Sequence, residues 1–291
     1  MEFKEKLKKG IFVKTLEVSP PKGTDLSYLI KKLQPFKNKI DAINVTDSQS
    51  AVMRLGALAA SYILEKEGFE TICQLTCRDR NRIALQQELL SMSVLGIKNV
   101  LILTGDHPKY GDHPQAKPVF DLDSIELIGV AKRLNEGVDM AGKKLNKPTQ
   151  LFIGGAFNPN VEPQKKELKR LEKKIENGAQ FFQSQAFFEP KKFIEFCKEA
   201  NKFKKPLIAG ILFLKSLKTA KFISENISGV YVPQRIIRKL ETAQNERAQA
   251  IQIAKDLILE VKDYVQGIHF MFLGDFEAVL EILEELKLWR F

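Results

Sequence analysis

The sequence contains few of the residues that crosslink small domains or bind metals. Its 291 residues include three cysteines, three histidines and one tryptophan. So few cysteines, odd in number, exclude a disulfide framework in a chain of this length, and we predict no metal site because no Cys or His cluster has ligand spacing. Cys73 and Cys77 share one face of a predicted strand and Cys197 lies on a predicted helix, so we interpret all three as packing residues.

Long apolar runs, nucleotide fingerprints and linkers are also missing. No run approaches the roughly 18 residues of a membrane span, and the charged residues 1–6 lead into no signal-peptide core. We therefore expect a cytoplasmic protein without a membrane span. No G-x-G-x-x-G follows a strand, which argues against a Rossmann site. Because no Pro-, Gly- or Ser-rich linker interrupts the sequence, we expect a single domain over residues 1–291.

Charge of one sign is in excess. The formal net charge is +10, which is compatible with nucleic acid, anionic cofactors or acidic partners. The cations alternate with glutamates along predicted helices, as in residues 165–174, and such a pattern usually marks a solvated helix face. We therefore expect no nucleic-acid partner, although surplus cations near a site would attract phosphates.

Strand-like segments alternate with helical ones, a pattern typical of a parallel sheet. The predicted strands are 12–18, 41–46, 70–76, 99–104, 150–155, 180–185, 206–212 and 267–272. Apolar residues at helical spacing over 234–265 predict a helical insertion before the last strand, and 276–288 predicts a final helix. The short segment 230–233 is a weaker candidate for the eighth strand. The predicted fold is α/β, a (β/α)₈ TIM barrel.

Several polar residues follow these strands, where a barrel gathers its active site. Glu17 ends the first strand just before two prolines that stop strand pairing. A carboxylate facing the barrel mouth is suited to general acid chemistry, although a structural ion pair with a neighbouring cation is equally compatible with its position. Asp106 follows Thr104 and Gly105, and the glycine would let the backbone approach a ligand closely.

Two further strand ends carry weaker signals. Thr46 and Asp47 follow the second strand, where Asp47 is equally suited to cap the next helix. Gln185 ends an aromatic sixth strand and offers a donor and an acceptor for the edge of a heterocycle. Nearby phenylalanines such as Phe187 could stack on that ring, but at least half of them are expected in the core.

Together, the E-x-x-P-P motif beginning at Glu17, the T-G-D motif at 104–106 and the Q-x-F-F motif at 185–188 resemble those of the methylenetetrahydrofolate reductase family. The resemblance is good over about residues 10–230 and weak over the last sixty. It implies a flavin-bearing barrel that reduces 5,10-methylenetetrahydrofolate to 5-methyltetrahydrofolate, an oxidoreductase of one-carbon metabolism and methionine biosynthesis.

The resemblance also implies roles for individual residues. Glu17 would protonate the folate nitrogen, and the iminium cation that forms on ring opening would accept hydride from N5 of the reduced flavin. Asp106 would lie between flavin and folate and stabilise the developing cation. The implied flavin contacts are Thr46, Gln74, Thr76, Thr104, Gly105, Asp106, Ala156, Arg170 and Lys174. The implied substrate contacts are Gln185, Phe187 and Leu217.

Departures from the family pattern concern the electron donor rather than the acid. Many relatives carry phenylalanines where this chain has Val18 and Ser19, and a histidine where it has Gln74. After the seventh strand, where pyridine-nucleotide-using relatives place an aromatic residue, this chain reads Lys215-Ser216-Leu217. Electrons could come from NAD(P)H or from a partner electron-transfer subunit, and we expect an oligomer or a heteromeric complex. The expected cofactor is FAD, with FMN as the alternative.

Two other functions remain open. One is a different pterin-binding barrel enzyme, such as a dihydropteroate synthase-like transferase. The other is a non-catalytic basic subunit that uses the barrel surface to bind RNA or a larger assembly. A bound flavin would argue against the first, and activity that survives changes at Glu17 and Asp106 would favour the second.

Overall fold

Eight parallel strands close into a barrel in the computed structural model, which describes residues 1–226, 229–272 and 274–288. Each strand pairs with its sequence neighbours, and the first pairs with the last. The strands are β1 (Val13–Val18), β2 (Ala42–Val45), β3 (Thr71–Thr76), β4 (Asn99–Leu103), β5 (Phe152–Phe157), β6 (Phe181–Ser184), β7 (Leu207–Leu212) and β8 (Gly267–Met271). Most are buried along their length, as expected for a parallel sheet covered on both faces.

Helices follow the strands and cover the outside of the barrel, and one further helix, the first, lies at its N-terminal end. They are α1 (Phe3–Lys8), α2 (Ser27–Leu33), α3 (Ala57–Lys66), α4 (Arg82–Val94), α5 (Ser124–Asn135), α6 (Gln164–Glu176), α7 (Pro190–Ala200), α8 (Leu217–Asn226), α9 (Gln234–Glu241), α10 (Glu246–Val261) and α11 (Phe276–Glu285). Three of them, α8 to α10, lie between β7 and β8, so the predicted helical insertion is confirmed. No helix among the described residues is long and apolar enough to cross a membrane.

The predicted strands agree with the observed ones to within two residues at each end. The segment 230–233 forms no strand, and β8 falls in the segment favoured from the sequence. The predicted insertion over 234–265 divides into α9 and α10, because Asn245 starts a new helix by accepting a hydrogen bond from Ala248 N at 3.0 Å. Asn is a favoured residue at such a start. The (β/α)₈ barrel fold is confirmed.

A small apolar cluster fills the N-terminal end of the barrel. Phe3 and Leu7 of α1 pack there against side chains from seven strands: Val13, Ala42, Ile72, Leu101, Phe152, Phe181 and Ile208. Successive residues of a strand face opposite sides of a sheet. The next inward positions toward the C-terminal end therefore include Thr15, Glu17, Asn44, Gln74 and Gln183. Polar side chains thus occupy the barrel above an apolar plug.

Candidate active site

Glu17 lies at the C-terminal end of the barrel between an exposed partner and a buried one. Its side chain is 11% exposed. One carboxylate oxygen, Oε1, accepts a hydrogen bond of 3.1 Å from Nε2 of Gln49, an exposed residue of the loop after β2. The other, Oε2, lies 3.5 Å from Nε2 of His269. The carboxylate therefore has one oxygen toward the mouth and one toward the barrel interior.

His269 is a fully buried residue of β8 that the sequence did not mark as functional. Its Nδ1 lies 2.9 Å from the hydroxyl oxygen of Thr15, its neighbour on β1. Its Nε2 has no hydrogen-bond partner among the described residues, and the nearby group is the carboxylate of Glu17. Because side chains alternate along β1, Thr15 and Glu17 lie on the same face of the strand. This spacing was the one feature of the sequence from which a contact with an inward residue of the adjoining strand could have been predicted.

Buried amide side chains form a chain across the barrel beside this pair. Nε2 of Gln74 donates to Oδ1 of Asn44 at 2.9 Å, and Nδ2 of Asn44 donates to Oε1 of Gln183 at 2.7 Å. These contacts link β3, β2 and β6. The predicted flavin contact Gln74 therefore uses its amide within the barrel, where it is 7% exposed. The structure does not bring this side chain to an open face of the mouth.

The second and third strand ends are joined by a buried ion pair. Asp47 accepts hydrogen bonds from the backbone N and hydroxyl of Thr76, at 2.9 and 2.8 Å. Arg80 donates to both oxygens of Asp47, at 2.8 and 3.2 Å. Burial alone would lower the pKa of the Arg80 guanidinium, but its hydrogen bonds and charge interaction with Asp47 help to raise it overall. Thr46 is fully buried and donates to Ser19 at 3.3 Å. Thr46 and Thr76 are therefore buried beneath the mouth and make their hydrogen bonds to neighbouring side chains.

The segment after β4 lies open at the mouth. Thr104 and Asp106 are both exposed, and the Thr104 hydroxyl donates to Ser124 at 3.1 Å. Gly105 has a φ of +89°, and a Cβ added there would lie 3.1 Å from Cβ of both Thr76 and Arg78. Glycine is needed for this backbone conformation, which leaves the Asp106 carboxylate accessible to a ligand.

Lys174 is a buried cation at the end of β5. It projects from α6, and its ammonium donates to the carbonyl oxygen of Ala156. Burial lowers the pKa of Lys174 to about 8, although Glu167 opposes the shift. Oε2 of Glu167 is buried without a hydrogen-bond partner among the described residues, 3.8 Å from Nη1 of the exposed Arg170. The structure thus brings three predicted cofactor residues, Ala156, Arg170 and Lys174, to one region.

The predicted substrate contacts differ in their accessibility. Gln185 is exposed where β6 ends. Phe187 is 1% exposed and stacks on Phe193 of α7, with ring centroids 3.8 Å apart. It therefore belongs to the core, as expected for at least half of these phenylalanines, and the structure gives its ring no open face for a substrate. Leu217 begins α8 half-buried, with its backbone N donating to Glu246 at 2.8 Å.

Two loops at the mouth are in direct backbone contact. A Cβ added to Gly111, in the loop after β4, would lie 1.9 Å from the carbonyl oxygen of Ala51, in the loop after β2. Asp112 accepts from Met53 N at 3.0 Å and forms an ion pair with Lys22 from the loop after β1. These hydrogen bonds hold the pKa of Asp112 far below its usual range. The carboxylate of Asp112 joins three loops around the mouth.

The other end of the barrel holds a cleft but no predicted site residue. Its volume is about 390 Å³, and its lining includes Lys6, Lys37, Asp41 and Phe69. Within the described part of the chain, no three His, Cys, Asp or Glu side chains are grouped to hold a metal ion. The concentration of polar groups at the C-terminal end makes the mouth the candidate active site.

Comparison with known protein families shows the family of this chain. The model of the methylenetetrahydrofolate reductase family matches residues 2–287. The chain belongs to this family. The resemblance drawn from the short sequence motifs is therefore confirmed, and it extends through the last sixty residues, where those motifs were weak.

Individual methylenetetrahydrofolate reductases are distant in sequence. The 5,10-methylenetetrahydrofolate reductase of Salmonella typhimurium is 23% identical over 94% of this chain and 90% of its own length. The probable NADPH-dependent reductase of Caenorhabditis elegans is 25% identical over 80% of this chain. The matched region spans 34% of that relative and 48% of methylenetetrahydrofolate reductase 2 of Schizosaccharomyces pombe.

Solved structures show that the family barrel resembles other barrels as well. A Clostridium thermocellum protein described as binding two copies of 5-methyl-5,6,7,8-tetrahydrofolic acid superposes with a TM-score of 0.71, at 15% identity over 98% of each chain. A 2,3-dimethylmalate lyase superposes with a TM-score of 0.56 at 10% identity, over 98% of this chain and 85% of its own. At these identities the comparison shows the fold alone.

Proposed function

We propose that this protein is a flavin-dependent reductase that converts 5,10-methylenetetrahydrofolate to 5-methyltetrahydrofolate, with residues 1–291 forming one flavin- and folate-binding catalytic domain. The observation that carries the proposal is Glu17, a carboxylate at the barrel mouth with one oxygen toward Gln49 and the other toward buried His269. Family membership supports the reaction, and the folate bound by the Clostridium neighbour supports the substrate class.

The residues at the mouth fit a flavin. Lys174 is a buried cation whose ammonium has one hydrogen-bond acceptor among the described residues, the Ala156 carbonyl. A buried ammonium is stabilised by an anionic partner, and a flavin phosphate is such a partner. Arg170 lies one helical turn earlier on α6 and is exposed. We propose that these residues, with Thr104, Gly105 and Asp106, hold FAD, with FMN as the alternative.

A flavin held at this site would supply hydride to the one-carbon unit, and the side chains would supply the proton and stabilise the developing charge. Glu17 donates a proton to the folate nitrogen, which opens the five-membered ring and leaves a cation on the one-carbon unit. Asp106 stabilises that cation through its nearby negative charge. Gln185 is accessible and hydrogen-bonds the folate through its amide. Glu17 is 11% exposed, so a ligand at the mouth can come within hydrogen-bond reach of its carboxyl group, as general acid catalysis requires.

The electron donor is proposed to be NAD(P)H or a partner electron-transfer subunit. The stretch where pyridine-nucleotide-using relatives place an aromatic residue reads Lys215-Ser216-Leu217 here, which favours the partner protein. The net charge of +10 is suited to an acidic partner. We further propose that the protein is cytoplasmic and forms an oligomer or part of a heteromeric complex. Its product would serve one-carbon metabolism and methionine biosynthesis.

The proposal is tested by replacing Glu17→Gln, which keeps size and hydrogen bonding but removes the acid. We expect folate reduction to fall by about 10²- to 10⁴-fold, the usual contribution of a general acid. Flavin content and reduction of the flavin by dithionite should be unchanged. The matched control is Glu195→Gln, an exposed carboxylate on α7, which should keep full activity. Full activity in Glu17→Gln would contradict the proposed role.

A further inference from the structure

We propose that His269 is a positioning residue for Glu17: it donates a hydrogen bond to Oε2 and thereby holds the carboxyl group with Oε1 toward the barrel mouth. This inference rests on the proposed function, since it specifies how the proposed acid is oriented. It starts from the imidazole itself, which is fully buried in β8 and has one nitrogen without a hydrogen-bond partner among the described residues. A buried donor or acceptor left unpaired destabilises the folded state, so a partner for this nitrogen is expected.

The hydrogen positions follow from counting donors and acceptors. Thr15 carries one hydroxyl hydrogen, and in the described structure its hydroxyl has one hydrogen-bond partner, Nδ1 of His269 at 2.9 Å. If Thr15 donates to Nδ1, the neutral ring carries its proton on Nε2, which lies 3.5 Å from Oε2 of Glu17. If instead Nδ1 donates to Thr15, the lone pair of Nε2 faces the carboxylate. Only the first arrangement satisfies both hydrogens.

In this arrangement the two oxygens of Glu17 have different hydrogen-bond partners. Oε2 accepts a hydrogen bond from Nε2 of His269 once the 3.5 Å separation of the two atoms shortens. Hydrogen bonds of catalytic groups commonly shorten when a substrate binds. Oε1, which accepts from Nε2 of exposed Gln49, is thereby held on the side of the mouth. That is the side from which a folate enters the mouth.

The same arrangement shows how the site remains ordered without substrate. Thr15, on the neighbouring strand, fixes the rotation of the imidazole, because the paired residues Thr15 and His269 occupy the same level of β1 and β8. The imidazole then fixes the carboxyl group. Both strands are buried on the inside of the barrel, so the orientation of Glu17 is set by rigid elements rather than by the mouth loops.

The tautomer can be measured directly and without turnover. In protein labelled with ¹⁵N at histidine, long-range proton–nitrogen correlation distinguishes a ring protonated at Nε2 from one protonated at Nδ1. The chain has three histidines, and His269→Gln identifies the signal. We expect a proton on Nε2 of His269 at neutral pH, and a shift of its nitrogen signals in Glu17→Gln. An Nε2 without a proton would overturn the proposal.

Kinetics provide a second, independent readout. His269→Leu removes the donor, whereas His269→Gln retains a side-chain N–H that can reach the carboxylate. We expect kcat for folate reduction to fall about tenfold or more in His269→Leu, with KM within about twofold and partial recovery in His269→Gln. Flavin absorbance reports whether each variant is folded. Wild-type kcat in a folded His269→Leu, or no recovery in His269→Gln, would contradict the proposal.

The two proposals can fail separately. If the wild-type protein reduces no folate but Nε2 of His269 carries the proton and responds to Glu17→Gln, the proposed function fails and the orientation of the carboxyl group stands. If folate reduction depends on Glu17 while Nε2 lacks its proton, the function stands and His269 is not the positioning residue.

Discussion

At the level of one residue, Lys174 is a buried cation whose burial destabilises the folded state. Burial lowers the pKa of Lys174 to about 8 from 10.5. Between these values the unfolded chain binds more protons than the folded one, so this residue makes stability rise with pH across that window. Below about pH 8 the charged ammonium is present in both states, and its burial is fully unfavourable. The shift corresponds to about 3 kcal/mol.

We therefore predict that Lys174→Met stabilises the flavin-free protein. At pH 7 the free energy of unfolding should rise by up to about 3 kcal/mol, and the gain should shrink as the pH approaches 10.5. The same variant should bind flavin more weakly, because it lacks the cation proposed to meet the phosphate. Urea unfolding at several pH values and flavin titration measure the two effects. Lys173→Met, an exposed neighbour, should change neither, and a pH-independent gain would contradict the account.

Site residues that directly follow or end a strand could be predicted from the sequence, because a short segment is enough to recognise the end of a strand. Glu17, Asp106 and Gln185 lie at the mouth as predicted from the strands that precede them. Their catalytic and binding roles stay predictions. His269 was missed because it lies in the middle of a strand, and its partner Thr15 comes from the other end of the chain. Such a pair depends on the closing of β1 onto β8.

At the scale of elements, α1 is a plug for the N-terminal end of the barrel. Phe3 is fully buried and meets the rings of Phe152 and Phe181 edge-on, with centroids 6.2 and 5.5 Å apart. Phe3→Ala should lower the free energy of unfolding by about 3 kcal/mol or more, measured by chemical denaturation. Lys8→Ala, at the exposed end of the same helix, should cost less than about 0.5 kcal/mol. Similar costs for both would show that the plug is not packed as described.

A second prediction at this scale concerns the contact between the mouth loops. Gly111→Ala would place a methyl group 1.9 Å from the carbonyl oxygen of Ala51, so the loops must separate. We expect faster hydrogen exchange over residues 47–53 and a loss of about 1–3 kcal/mol in stability. Gly56→Ala is the matched control because its added Cβ would meet nothing within 4 Å. Unchanged exchange in Gly111→Ala would contradict this loop contact.

Elements were easier to predict than their mutual contacts. Each strand has a local pattern of apolar residues with a defined end, and the βα alternation leaves a barrel as the natural closed arrangement. The loop contact at Ala51 and Gly111 has no such signal, because its close approach depends on backbone positions sixty residues apart. The burial of Phe187 against α7 likewise depends on how a helix packs on the barrel.

At the scale of the whole molecule, the barrel fold is compatible with electrons from either NAD(P)H or a partner protein. If a partner protein is the donor, NADH should reduce the bound flavin slowly under anaerobic conditions, while dithionite reduces it completely. Stopped-flow absorbance measures both reactions. Rapid and complete reduction by NADH would show that this chain accepts electrons from pyridine nucleotide directly and would remove the reason for a partner subunit.

The most direct test of the central claim is an anaerobic visible spectrum of the purified protein before and after addition of 5-methyltetrahydrofolate. We predict a bound flavin whose absorbance bleaches, because the site should run the reverse half-reaction, and we predict that the bleaching is lost in Glu17→Gln. A bound flavin that stays oxidised would contradict the assignment of the folate substrate. A colourless protein that takes up neither FAD nor FMN would contradict the flavin-dependent reductase as a whole.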